Sequence, residues 1–142
     1  MNQPPSLNAF SRDVMLTLPS QQQQVCHVEN FLSQLLSRFN VDKDTYGNIL
    51  ISLTEAVNNA IIHGNEKDKR KKVKIAFEKQ SKAITFKVSD EGNGFDYQNI
   101  PDPTAPENIC KCGGRGVFLM RELSDHLRFT NKGRTVEMKF KI

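Results

Sequence analysis

Apolar residues recur along this chain at two different intervals, and the changes between them mark its elements. Val14, Leu16 and Leu18 alternate with polar neighbours and stop at Pro19, which predicts a short strand. From Ser20, which suits an N-cap, the interval becomes helical, with Val25, Val28, Leu32, Leu35, Leu36 and Phe39 on one face. A second helix starts in "DKDT" (42–45) and runs to Gly64 and Asn65, a good C-terminal stop. The interval then returns to two. Val73, Ile75 and Phe77 alternate with polar residues, as do Ile84, Phe86 and Val88. Leu127 and Phe129 are followed by Val136, Met138, Phe140 and Ile142, joined through "TNKGRT" (130–135), a turn of the hairpin kind. Between the strand pairs lies a long irregular stretch, 90–114, followed by a short helix, "GVFLMRELSDH".

Strands with one apolar face need cover on that face only, as in an antiparallel or mixed sheet. The predicted fold is therefore α+β: a two-layer sandwich in which about three helices cover one face of a mixed, mostly antiparallel sheet. It forms one domain over 14–142, preceded by a polar tail, 1–13, that contains Pro-Pro and is expected to be loose. The long loop stands out, because structureless stretches beyond about 12–15 residues inside a compact domain are usually functional or disordered.

Composition narrows the function classes. Apolar residues make up 37% and charged residues 25%, the balance of a soluble globular chain. The longest apolar runs fall far short of the roughly 20 residues a membrane span needs, and no basic start with an apolar core announces secretion. A cytoplasmic location without membrane contact is expected. Most of the formal charge of +4 comes from "KDKRKKVK" (67–74), which reads as a solvated turn or strand entrance. With two Tyr and no Trp as stacking platforms, direct nucleic-acid binding is not expected. Three cysteines make no disulfide framework, and "CKC" (Cys110, Cys112) is too tightly spaced for a zinc site, leaving two ordinary loop thiols.

The second helix carries the first sign of chemistry. Tyr46, Ile49, Leu50, Leu53, Ala56, Val57 and Ala60 form one apolar face. Asn48, Glu55 and Asn59 fall opposite, together with Ile51 and Ile62, and His63 lies at the margin as a helix-end histidine. A helix with a core face and a second mixed face is covered on both sides, by packing, a partner or a ligand. The plain reading is a solvated polar face. The functional one is a carboxylate acting as general base beside an amide oxygen that binds a hard cation such as Mg²⁺. Residues four apart are neighbours on a helix, so Glu55 and Asn59 would reach one polyphosphate.

Two glycine-rich pieces follow. In "SDEGNGF" (89–95), Asp90 sits where the chain leaves the sheet, and Gly92 and Gly94 permit a tight turn or the close approach of a flat ligand. In "GGRGVFLM" (113–120), three glycines and Arg115 open a helix whose free N–H groups favour an anion. The spacing is not that of a P-loop.

Taken in this order, E-x-x-x-N on a helix, D-x-G-x-G after a strand and G-G-x-G before a helix resemble the GHKL ATP-binding fold of histidine kinases and gyrase. Within it, "TEAVNNAIIHGN" and "GRGVFLMRELSD" look like the anti-sigma factor serine-protein kinases of the RsbW and SpoIIAB type. The resemblance covers nearly the whole chain. It implies ATP and Mg²⁺ as cofactors, with Glu55 as the base that activates a target serine and Asn59 as the Mg²⁺ ligand. Asp90 would accept from the exocyclic amine of adenine, with Gly92 and Gly94 shaping that end. Gly113, Gly114, Arg115 and Gly116 would form the hinge of an ATP lid at 96–112, and Thr135 matches the strand-start threonine near the base. The implied function is an ATP-dependent serine kinase that phosphorylates a STAS-domain anti-anti-sigma factor and sequesters a sigma factor or similar regulator; the family also implies a homodimer. A nucleotide-gated binding module with little or no kinase activity is the alternative. A detached histidine-kinase ATPase domain is disfavoured, since no dimerisation helices with a phosphoacceptor histidine precede it. "CKC" within the lid departs from the pattern.

Overall fold

The computed structural model describes residues 14–94 and 114–142. Strand β1 (Val14–Pro19) leads through a 3-10 turn (Gln22–Val25) into helix α1 (Cys26–Leu36) and then α2 (Lys43–Asn59). α2 continues into a π-helical turn, Ala60–Gly64. Strands β2 (Lys72–Gln80) and β3 (Ala83–Ser89) follow, then α3 (Gly114–Leu123), β4 (His126–Thr130) and β5 (Thr135–Lys141). Among the described residues the sheet order is β1-β2-β3-β5-β4, with four pairings, all antiparallel.

Register follows from the period-two pattern, because residues of one parity share a face. Ile75 stands opposite Leu16 and Val88, and Phe86 stands opposite Phe77 and Met138. That face meets Val28, Leu32 and Leu35 of α1 and Ile49, Leu53 and Val57 of α2 in one buried core. Phe77 lies between Phe39 and Phe86, with ring centroids 6.0 and 5.4 Å away, in the tilted geometry aromatic rings prefer. The other face carries Lys74, Lys87, Glu137 and Lys139 in cross-strand positions; Glu137 accepts from Arg128 at 2.8 Å and lies 3.9 Å from Lys87. Charged residues there need no cover, so the sandwich has two layers.

Some local expectations change. Ser20 caps no helix: the 3-10 turn follows Gln21, with no side-chain cap, and the buried Ser20 hydroxyl donates to the Lys71 carbonyl at 2.7 Å. Tertiary partners outcompete the local cap. The cap of α2 is Asp42, whose carboxylate accepts from the Thr45 amide at 2.7 Å. Ile142 lies beyond β5 and is 40% exposed, because the core ends at Phe140. His126 opens β4 rather than closing the helix, which ends at Leu123. The basic run is a turn and strand entrance as expected: Glu66 and Lys67 take positive φ, and Asp68, hydrogen-bonded by Arg70, has its carboxyl held down at about 2. The polar tail and the long loop with its two cysteines lie outside the described residues.

Candidate active site

Helix α2 buries Ile49, Leu53, Ala56 and Val57 against the sheet and turns Asn48, Glu55 and Asn59, all half-buried, to its other side. Helix α3 packs along α2 and covers part of that second face. Gly116, in the first turn of α3, lies so close that a Cβ there would stand 2.9 Å from Asn59 Nδ2 and 3.3 Å from Oδ1. The amide end of Asn59 thus touches backbone at the N-terminal turn of α3, where N–H groups lack helical partners. Ser52, two turns earlier on the same stripe, is buried with an unpartnered hydroxyl.

Past Asn59 the helix widens. The Asn65 amide donates to the Ala60 carbonyl at 2.8 Å, an i to i+5 bond, and the π turn swings Gly64 against the loop after β3. A Cβ on Gly64 would stand 2.3 Å from Asp90 Oδ2, and one on Gly92 would stand 1.9 Å from the Gly64 carbonyl oxygen. Neither glycine has positive φ, so both are required for space. Gly94 differs: its φ is +84°, and a Cβ there would meet the Lys132 carbonyl oxygen at 2.1 Å. The loop after β3 is therefore pinned between the π turn and the β4–β5 turn.

Asp90 occupies the centre of this loop. Its amide donates to the Arg134 carbonyl at 2.9 Å, and its Oδ1 accepts from the Gly92 amide at 2.8 Å. Burial pushes the Asp90 carboxyl up, against the lowering pull of the Gly92 amide and the charges of Arg134 and Lys71. A partly desolvated carboxylate with few donors favours a ligand that brings an N–H group. Beside it, the hydroxyls of Ser89 and Thr135 lie 3.1 Å apart, and Asn131 Nδ2 donates to Thr135 Oγ1 at 3.1 Å.

One end of the sandwich thus joins the end of a long helix, an Asp-Gly loop and a glycine-started helix. Residues 18–140 match the histidine kinase-like ATPase domain. The chain belongs to that family. Among individual proteins it is similar to "Serine-protein kinase RsbW" of Bacillus subtilis (strain 168), 30% identical over 132 residues, covering 88% of this chain and 82% of that protein. It is equally similar to the protein of that name from Staphylococcus aureus (strain MRSA252), 30% identical over 133 residues, covering 88% and 84%. The Staphylococcus epidermidis protein of that name is 29% identical over 133 residues, again covering 88% and 84%.

In this histidine kinase-like ATPase domain, the site residues expected from the sequence fall into linked groups. Asn59 meets Gly116; Asp90 and Gly92 meet at Gly64; Gly94 meets the β4–β5 turn; Thr135 meets Ser89. Glu55 lies one turn before Asn59 on α2, Gly114 lies within α3, and Arg115 is exposed in its first turn. Gly113 and the proposed lid lie outside the described residues. His63 is exposed, and no group of His, Cys, Asp and Glu among the described residues is placed to hold a metal. The side-chain amide of Asn59, packed against Gly116, offers one neutral oxygen donor, of the hard kind that Mg²⁺ takes together with phosphate oxygens. Among the described residues, no helix is long and apolar enough to cross a membrane.

Sequence reasoning missed Gly64 and Asn65, read only as a helix stop. It missed Ser20 as a buried partner, and Ser89 and Asn131 beside Thr135. The signal was weak: a helix stop and a close-contact glycine look alike until the facing loop is known.

Proposed function

We propose that this chain is an ATP-dependent serine protein kinase that acts as an anti-sigma factor in a partner-switching module. The observation that carries the reading is the meeting of Asn59 with Gly116 at the start of α3, with Asp90 set against Gly64 at the other end of the same π turn. This spacing gives one end for a base and another for phosphates. The relatives named serine-protein kinase support the chemistry. Asp90 accepts from the exocyclic amine of adenine, with Gly92 and Gly94 shaping that end and Thr135 beside it. Gly113, Gly114, Arg115 and Gly116 receive the phosphates, using backbone N–H groups and the Arg115 charge. Asn59 holds Mg²⁺, which neutralises phosphate charge when bound. Glu55 takes the proton of the attacking serine hydroxyl.

The substrate in this reading is a STAS-domain anti-anti-sigma factor, and the second partner is a sigma factor or similar regulator. The chain acts in the cytoplasm in this reading, and a homodimer is what the family resemblance implies. The test is phosphotransfer from γ-labelled ATP to a small protein in soluble extract of the source cells. Glu55→Ala should bind ATP as the wild type does and lose at least about 100-fold in rate, the usual contribution of a positioned base. Equal labelling by both proteins removes the role of Glu55. ATP binding without serine labelling by the wild type would instead favour a nucleotide-gated binding module.

A further inference from the structure

The geometry points to Asn65 as the positioning residue that holds the Asp90 loop in register for base selection. This rests on the reading of Asp90 as the adenine acceptor. Asn65 is fully buried, and its side chain ties three separate segments. Its Nδ2 donates to Ser20 Oγ at 2.8 Å and to the Lys72 carbonyl at 3.0 Å, while its Oδ1 accepts from the Glu91 amide at 2.7 Å. Glu91 is the residue between Asp90 and Gly92, so this last bond acts on the centre of the loop. The backbone of Asn65 is fixed as well: its N–H donates to Ala60 and its carbonyl accepts from Asp68 at 3.0 Å.

The network admits only one orientation of the amide. The Ser20 proton is committed to the Lys71 carbonyl at 2.7 Å, so Ser20 Oγ can only accept from Asn65. Lys72 offers an oxygen and Glu91 offers an N–H, so the site demands two donors and an acceptor on one short side chain. Aspartate would set its carboxylate against two oxygens, and leucine would leave the Lys72 carbonyl and the Glu91 amide without their side-chain partner. The Lys72 amide in turn donates to the Glu91 carboxylate, a second tie between β2 and the loop. Without Asn65 the loop keeps the Gly92–Asp90, Asp90–Arg134 and Lys72–Glu91 bonds, yet loses its one buried side-chain anchor, the bond that ties the Glu91 amide to the end of the π turn.

Asn65→Ala should therefore weaken ATP binding at least tenfold and reduce the preference for ATP over GTP, while Mg²⁺-tripolyphosphate affinity stays within twofold. Leu32→Ala, in the core of α1, serves as a control that lowers stability and keeps the ATP-to-GTP ratio. A folded Asn65→Ala protein with the wild-type ratio overturns the inference. Should that variant fail to fold, amide exchange in the wild type decides. The Glu91 amide must exchange slowly, and exchange as fast as an exposed loop amide overturns the clamp. A wild type that binds no adenine nucleotide overturns the reading of Asp90 and base selection with it, whereas slow Glu91 exchange would still uphold the clamp itself.

Discussion

Gly64 and Asp90 show how a single atom sets the shape of the site. A methyl group on Gly64 would fall 2.3 Å from a carboxylate oxygen, far inside contact distance. Gly64→Ala must displace the Asp90 loop or the π turn, and is expected to cost about 1–3 kcal/mol of stability together with at least tenfold in ATP affinity; thermal melts and titration calorimetry check both. Unchanged affinity would place the nucleotide away from Asp90. The titration of Asp90 makes a second prediction. Its carboxyl is raised by burial above the ordinary 3.8, so the folded chain holds the proton more tightly than the unfolded one. The stabilisation from protonated Asp90 is full below that ordinary value and is lost as pH rises through the raised one. Asp90→Asn escapes the loss. Its stability relative to wild type should thus increase from pH 3 to pH 7, measured by denaturant midpoints. A difference that stays constant with pH would contradict this. The Asp-Gly signature made Asp90 legible in the sequence, but nothing in the sequence told that Gly64 would face it.

At the scale of elements, the core face of α2 and the mixed face opposite both follow from the 3.6-residue period. What the period missed is the π turn, since Ala60–Gly64 fits an α-helical pattern equally well. The widened turn is a tertiary outcome, set by where Gly64 and Asn65 meet the β3 loop. Helix α2 carries another feature that periodicity does not reveal, the unpartnered Ser52 hydroxyl. A buried hydroxyl without a partner costs roughly 1–3 kcal/mol, and alanine is also the better helix former. Ser52→Ala should therefore stabilise the protein by about 1 kcal/mol, read from chemical denaturation. A loss of stability would show that the hydroxyl has a partner in solution.

For the whole molecule, the candidate site is assembled from four places in the chain: α2 with its π turn, the β3 loop, the start of α3 and the β4–β5 turn. A ligand that binds all four favours only the folded chain, so binding and folding are linked. Mg²⁺-ATP at 100 times its dissociation constant should raise the unfolding free energy by about 2.7 kcal/mol, seen as a higher melting temperature. Glu55→Ala should show the same gain, whereas Asp90→Asn should show none. A gain in both would separate nucleotide binding from Asp90.

The strand and helix periods alone determined a two-layer α+β sandwich, because each element must bury one patterned face and only one pairing parity buries them all. The charge run at 67–74, likewise, declared the turn before β2. The three motifs marked Glu55, Asn59, Asp90 and the glycines of α3 through residue type and order. Only the tertiary structure decided what these residues touch. Ser20 left its helix cap for Asn65 and Lys71, Gly64 and Gly92 became spacers instead of turn residues, and a helix-stop asparagine became a buried three-way anchor. The reason is physical. Periodicity reports which side of an element is buried, whereas a hydrogen-bond partner or a close backbone contact depends on a segment dozens of residues away.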